Sequence, residues 1–141
     1  MKTVLTILLF FGLSISSFAE KYNFFDEAKM LFEEEKYEES KFLFQRNIVY
    51  NPKDSESYLY LAKIFKVEED KVEEEKNIKT SLLLDPKNEE AMYFLIDLEL
   101  ERSNFSKAKE LKEDFVIICS KMCEKLKNIE NRLKAFEKTN S

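Results

Sequence analysis

The 141-residue sequence predicts an all-α protein built from repeated helical hairpins, and three observations carry that prediction. Glycine occurs once, at Gly12, and proline twice, at Pro52 and Pro86, whereas strands joined by tight hairpins draw on Gly and Asn-Gly turns. The chain is rich in Glu, Lys and Leu, which favour helices. The motif Asn51-Pro52-Lys53-Asp54 returns as Asp85-Pro86-Lys87-Asn88 after 34 residues. Apolar positions return with it, which marks internal repetition.

The first twenty residues stand apart. Lys2 precedes an apolar run over 4–13 that only Thr6 and Gly12 interrupt. Ser14, Ser16 and Ser17 then raise the polarity, and Ser17 and Ala19 place small residues at the two specificity positions of a cleavage site. This is the order of a secretory signal peptide, with cleavage expected between Ala19 and Glu20. The apolar run falls short of the ~20 residues of a spanning helix, which disfavours an uncleaved anchor. No cysteine lies near the cut, which argues against a bacterial lipoprotein. The expectation is an exported protein of the bacterial periplasm or envelope, or a secreted one, with no membrane span in the mature chain.

Beyond residue 20 the apolar spacing predicts helices at about 22–35, 38–50, 55–67, 72–84, 89–101 and 105–138. Phe24, Ala28, Leu31 and Phe32 fall on one helical face, as do Tyr58, Leu61, Ala62 and Phe65, and Ile78, Leu82 and Leu83. Asp54 or Ser55, Asn88, and Asn104 or Ser106 are the expected N-caps. The 34-residue register needs no gap. It aligns Phe24 with Tyr58 and Met92, Ala28 with Ala62 and Ile96, Leu31 with Phe65, Phe44 with Ile78, and Ile48 with Leu82. Tyr37 pairs with Phe105 two periods on. Each helix pair reads as a hairpin, and stacked hairpins bury their faces in one continuous core.

A 34-residue unit with proline near its end, a large residue and then a small one early in its first helix, and aromatics further on resembles the tetratricopeptide repeat. The resemblance covers about 21–120, in units of about 21–54, 55–88 and 89–120. Phe24, Ala28, Leu31, Tyr37, Ser40, Phe44 and Pro52 carry it in the first unit, and Tyr58, Leu61, Ala62, Phe65 and Pro86 in the second. Met92, Leu95, Phe105 and Ala108 carry it in the third, which lacks its proline. Where the family often has Gly between its two helices, this chain has Glu35, Glu69 and Ser103. Lys71 and Glu74 also depart from the pattern, which predicts a second helix of repeat two that packs loosely or begins late.

The resemblance implies a right-handed α-solenoid of about three hairpins whose first helices line a concave groove for a peptide or helix of another protein. Carried across, the groove positions are Tyr22, Phe25, Lys29 and Phe32; Glu56, Leu59, Lys63 and Lys66; and Glu90, Tyr93, Asp97 and Leu100. Aromatic anchors with Lys donors suit an amphipathic segment. Lys29 and Lys63 stand where chaperone-binding members carry Asn, so a carboxylate clamp of that kind is not expected. The other reading of these side chains is packing against neighbouring helices.

Nothing in the sequence breaks the last helix. Phe115, Cys119, Met122, Leu126, Ile129, Leu133 and Phe136 alternate at spacings of four and three, a heptad seam. Such a helix of ~32 residues is ~48 Å long, and residues 121–141 continue it beyond the third repeat. Three destinations are open: the helix caps its own stack, pairs two copies as a homodimer, or meets another partner. Cys119 and Cys123 lie one helical turn apart, with Cβ atoms ~5–6 Å from each other. A disulfide needs ~3.8 Å, so an intrahelical bond requires the helix to break. The alternatives are two small apolar side chains, or a bond between two chains in an oxidising compartment.

Composition excludes most chemistry. There is no His, hence no neutral-pH imidazole base and no commonest metal ligand. No Gly beyond position 12 leaves no phosphate loop and no nucleophile elbow. The chain carries net charge −5; residues 107–138 are net +3 and 20–106 net −9. An acidic body disfavours nucleic acid. Glu33-Glu34-Glu35, Glu38-Glu39, Glu68-Glu69-Asp70 and Glu73-Glu74-Glu75 gather at the hairpin turns and read as a solvated edge, not a catalytic pair. No catalytic residue, metal site or cofactor is expected. The expected role is non-catalytic binding of another protein, with an oligomeric envelope scaffold held by the heptad helix as the alternative.

Overall fold

The computed structural model describes residues 24–139, with side-chain surroundings to residue 136. The expected signal peptide, its cleavage site and Tyr22 lie outside the described residues. Seven helices follow one another: α1 Phe24–Glu33, α2 Tyr37–Tyr50, α3 Ser55–Val67, α4 Lys71–Leu84, α5 Glu89–Glu101, α6 Phe105–Ile118 and α7 Lys125–Thr139. No strand occurs among the described residues. The architecture is an all-α solenoid of three hairpins, α1–α2, α3–α4 and α5–α6, with α7 packed on the last. The first helix of each hairpin is its A-helix and the second its B-helix.

The A-to-B turns close in one way. Lys36, Asp70 and Asn104 donate their backbone N–H to Leu31, Phe65 and Glu99, five residues back, which pairs carbonyls left free at a helix end. This closure places one residue in the left-handed region. Glu35, Glu69 and Ser103 occupy it, with φ of 60°, 59° and 60°. These are the three positions where glycine was missing from the repeat pattern. The B-to-A turns instead use Pro52 and Pro86, and the preceding Asn51 (φ −136°, ψ 76°) and Asp85 (φ −134°, ψ 90°) both leave the helical region, which a residue before proline avoids. Asp70 caps α4 by accepting from Val72 and Glu73, and Asn88 caps α5 by accepting from Ala91 at 2.9 Å. Asp54 and Asn104 hold the cap positions of α3 and α6 but spend their side chains on Asn47 and Ser57, and on Glu99.

Small residues let each hairpin close. Ala28 and Ser40 are fully buried where α1 meets α2, and the Ser40 hydroxyl donates to the Ala28 carbonyl at 2.8 Å. Ala62 and Ala108 are fully buried in the later hairpins. Glu74 takes the small-residue position of α4, and its carboxylate is fully buried with the Lys71 ammonium at 3.2 Å. An ion pair therefore fills a site that Ala would fill. The late start expected as one outcome for this helix does not occur: α4 begins at Lys71, directly after its cap. Leu61 and Ile64 of α3 pack with Ala28 and Phe44, whereas Ala62 joins Ile78, Ile96 and Leu98. One helix thus faces both halves of the core, which is how neighbouring repeats share a single apolar interior.

The single helix expected over 105–138 is two. At Cys119 the backbone turns extended (ψ 136°), α6 ends, and α7 starts six residues later at Lys125. Cys119 and Cys123 are joined by a disulfide within the chain. The bond and the straight helix exclude each other, because adjacent turns hold Cβ atoms too far apart. The bond between two chains is replaced by this one. Breaking the helix frees backbone N–H groups, which need partners. Glu89, at the start of α5, supplies them: its carboxylate accepts from Lys121 N at 3.0 Å, Met122 N at 2.8 Å and the Ser120 hydroxyl at 2.6 Å. The Ser120 hydroxyl and these amides hold the Glu89 carboxyl at about 2, well below the usual range.

The seam residues then turn inward. Phe115 and Ile129 are fully buried and Leu133 nearly so, with Cys119, Met122 and Leu126 packed at the margin of the same cluster. Phe136 stacks on Phe105 with ring centroids 3.4 Å apart. The seam closes on its own chain through α5 and α6 instead of running on as one stripe.

Candidate protein-binding face

The A-helices form a row whose members touch through their side chains. Between α1 and α3 the links are aromatic. Phe25 and Phe32 meet the Tyr60 ring edge-on at 5.8 and 5.2 Å, and Tyr60 stacks on Phe44 at 4.9 Å. Between α3 and α5 the links are ionic. Lys63 reaches Glu90 at 2.8 Å, and Lys66 reaches both Asp97 and, at 2.9 Å, Glu101. Lys63 also lies 4.4 Å from the Tyr60 ring centroid, a cation–π contact. Between α5 and α7, Arg132 pairs with Asp97, and Lys125 lies 5.8 Å from the Tyr93 ring centroid.

These contacts also give the direction of α7. Met122 meets Glu89, Lys125 meets Tyr93, Arg132 meets Asp97 and Phe136 meets Phe105. Both helices advance together, so α7 runs parallel to α5, as α5 follows α3. It takes the place of a further A-helix and lengthens the row by one member.

The sequence-expected residues divide by depth. Leu59 and Leu100 are buried and support the face from beneath. Phe25, Phe32 and Tyr93 are half-buried among aromatic neighbours. Lys63, Lys66 and Asp97 are engaged with adjacent helices, as are Glu56, which accepts from Asn88 at 2.8 Å, and Glu90. Lys29 is exposed. Tyr60, which the sequence reading did not select, sits at the centre: Phe25 and Phe32 of α1 and Lys63 of α3 all contact its ring. Burial pushes its hydroxyl above the usual phenol range against the pull of Lys29, with Glu90, Glu56 and Glu33 adding to the rise. Lys125 and Arg132 were also missed, because a straight C-terminal helix would carry them away from α5.

The electrostatics of the row stabilise its charged forms. Burial alone would push Asp97 up, but Lys66 and Arg132 together hold its carboxyl below the usual carboxylate range. Burial would likewise lower Lys66, and Asp97 and Glu101 outweigh it and raise the ammonium. Among the described residues no group of three or more His, Cys, Asp or Glu could hold a metal ion, and no helix is long and apolar enough to cross a membrane.

No protein-family model matches the sequence, and no curated protein matches it. Solved structures do match the fold. The Yersinia enterocolitica type III secretion translocator chaperone SycD superposes with a TM-score of 0.71 at 15% identity, over 83% of each chain. The Sgt2 TPR domain from Aspergillus fumigatus gives 0.68 at 14% identity, over 82% of this chain and 80% of that one. The chain has the tetratricopeptide-repeat fold. A chain of the CopN–Scc3 complex gives 0.64 at 14% identity, over 79% of this chain and 66% of that one. At these identities the repeat fold is what is shared. The repeats here are α1–α2, α3–α4 and α5–α6, and α7 stands where a fourth repeat would begin.

Proposed function

We propose that this chain is a non-catalytic adaptor of the bacterial periplasm or envelope that holds a segment of another protein along its row of A-helices. The observation that carries the reading is the row itself. Aromatic rings at its α1–α3 end give way to paired Lys and acidic side chains towards α5 and α7. An amphipathic segment can lay apolar side chains on Phe25, Phe32 and Tyr60 and meet the exposed Lys29 with an acidic group. Leu59 and Leu100 hold the backbone beneath these groups. Two of the similar structures are a translocator chaperone and a chain from a protein–protein complex, which supports a binding role on this fold. The signal-peptide pattern of residues 1–19 supports export, and the disulfide between Cys119 and Cys123 suits an oxidising compartment. The burial of Ile129 and Leu133 within the chain favours this adaptor over the scaffold joined by its C-terminal helix.

Photo-crosslinking in cells tests the reading. A crosslinkable amino acid at Lys29 should trap one discrete protein, and the same group at Glu39, exposed on the acidic edge, should not. Equal trapping at both positions, or none at Lys29, would overturn it.

A further inference from the structure

The disulfide between Cys119 and Cys123 divides a segment that the sequence alone continues as one helix. No Pro or Gly lies between Phe105 and Thr139, and the heptad seam keeps its spacing from Phe115 to Phe136 through the break. The bond requires the bend, because one helical turn holds the two Cβ atoms too far apart. With the bond cut, residues 119–124 can join α6 to α7. Lys121 and Met122 then give their N–H groups to the carbonyls of Ile117 and Ile118, four residues back, instead of to Glu89.

The bond is within reach of a reductant. Cys123 is exposed, whereas Cys119 packs at the margin of the core. A thiolate of a dithiol attacks Sγ of Cys123, the sulfur–sulfur bond breaks, and its electron pair leaves on Cys119, which takes a proton. The second thiolate of the reductant attacks the mixed disulfide, closes the reductant's own disulfide and leaves Cys123 as a thiol. Two electrons and two protons pass to the protein.

Straightening moves α7 off its own hairpin. Ile129 and Leu133, buried where α7 meets α5 and α6, would carry an apolar stripe into water and leave an apolar site behind. A second copy resolves both. Phe136, near the end of α7, stacks on Phe105 at the start of α6, so α7 lies antiparallel to α6. The straight helix of a second copy, laid in the vacated place, is therefore antiparallel to the first, as a two-fold axis through residues 119–124 requires. The contacts of Arg132 with Asp97, Lys125 with Tyr93 and Phe136 with Phe105 re-form between copies. The exchange needs no new surface, because the vacated site already fits the side chains of α7.

We propose that the disulfide is a redox latch on the oligomeric state. Oxidised, the chain is a monomer closed by its own α7; reduced by a dithiol, it straightens and exchanges α7 with a second copy. The fourth member of each row, with Lys125 and Arg132, then comes from the partner copy. Until that copy arrives, the released α7 is open to proteolysis. The latch does not depend on what the row binds.

Light scattering of the purified protein tests it. Oxidised, the protein should keep the monomer mass at every concentration. With dithiothreitol the mass should double as concentration rises, and Cys119→Ala with Cys123→Ala should do the same without reductant. A cross-link separates exchange from simple pairing. In that cysteine-free background, Phe105→Cys with Phe136→Cys places two thiols across the contact of α6 with α7. Bridged by a short bis-maleimide, the dimer fraction should run at twice the chain's mass on a denaturing gel. A reduced protein that keeps the monomer mass at high concentration, an oxidised protein that dimerises equally, or a dimer whose chains the cross-linker does not join would overturn the proposal.

Discussion

Glu35, Glu69 and Ser103 show what a repeat asks of a single residue. The turn between its helices needs a left-handed backbone, and a Cβ makes that conformation unfavourable by about 1–2 kcal/mol. Glycine there removes the clash and gives back about 0.5–1 kcal/mol through greater freedom of the unfolded chain. Glu69→Gly should therefore stabilise the protein by up to ~1 kcal/mol, and the triple replacement should raise the thermal midpoint by several degrees in a calorimetric scan. Unchanged or lower midpoints would mean that the side chains at these turns contribute more than the strain removes. Glu89 ties the connection between α6 and α7 to the start of α5. Its folded carboxyl lies at about 2, against 4.5 when free, so the contact is complete above pH 4.5 and is lost as pH falls towards 2. Amide exchange over 119–126 should quicken across that window, and Glu89→Gln should quicken it at neutral pH. Residue-scale legibility was uneven. The missing glycines were visible in the pattern, but their left-handed geometry and the part played by Glu89 depend on contacts between distant segments.

Among elements, α1 to α5 and the start of α6 were legible because two local signals agreed, the helical period of apolar residues and the punctuation by Pro52, Pro86 and the capping residues. The end of α6 was not. No Pro or Gly lies between Phe105 and Thr139, and the heptad spacing continues through the break. The break is made by a covalent bond and by the Glu89 carboxylate, neither of which has a periodic signature. On a non-reducing gel the protein should run as a monomer, and closing so short a loop should contribute about 2 kcal/mol. Cys119→Ser with Cys123→Ser should therefore loosen α7, seen as faster proteolysis after residue 119, with the three hairpins intact. Ile129 is fully buried, so Ile129→Ala should destabilise the chain by about 2–5 kcal/mol. The loss should be the same at every protein concentration, because its neighbours belong to the same chain; a concentration-dependent loss would assign the seam to two chains.

Across the whole molecule, one 34-residue period builds surfaces of different character. The A-helices present aromatic and ionic side chains in a row, and the B-to-A edge presents aliphatic side chains with lysines. The A-to-B edge presents carboxylates. Of the candidate face, the apolar pattern located the helices, and the repeat resemblance supplied the candidate side chains Phe25, Phe32, Tyr93 and Asp97. Tyr60 escaped it because ring packing across two repeats brings that side chain to the centre. Lys125 and Arg132 escaped it because they arrive only when α7 folds back. The proposed role makes the A-helix row the surface that holds a partner. Hydrogen exchange measured on the free chain and on its complex with the protein trapped at Lys29 tests this most directly. Slowed exchange should be confined to the row of α1, α3, α5 and α7, with α2 and α4 unchanged; slowing on the B-helices with the A-helices unaffected would contradict it.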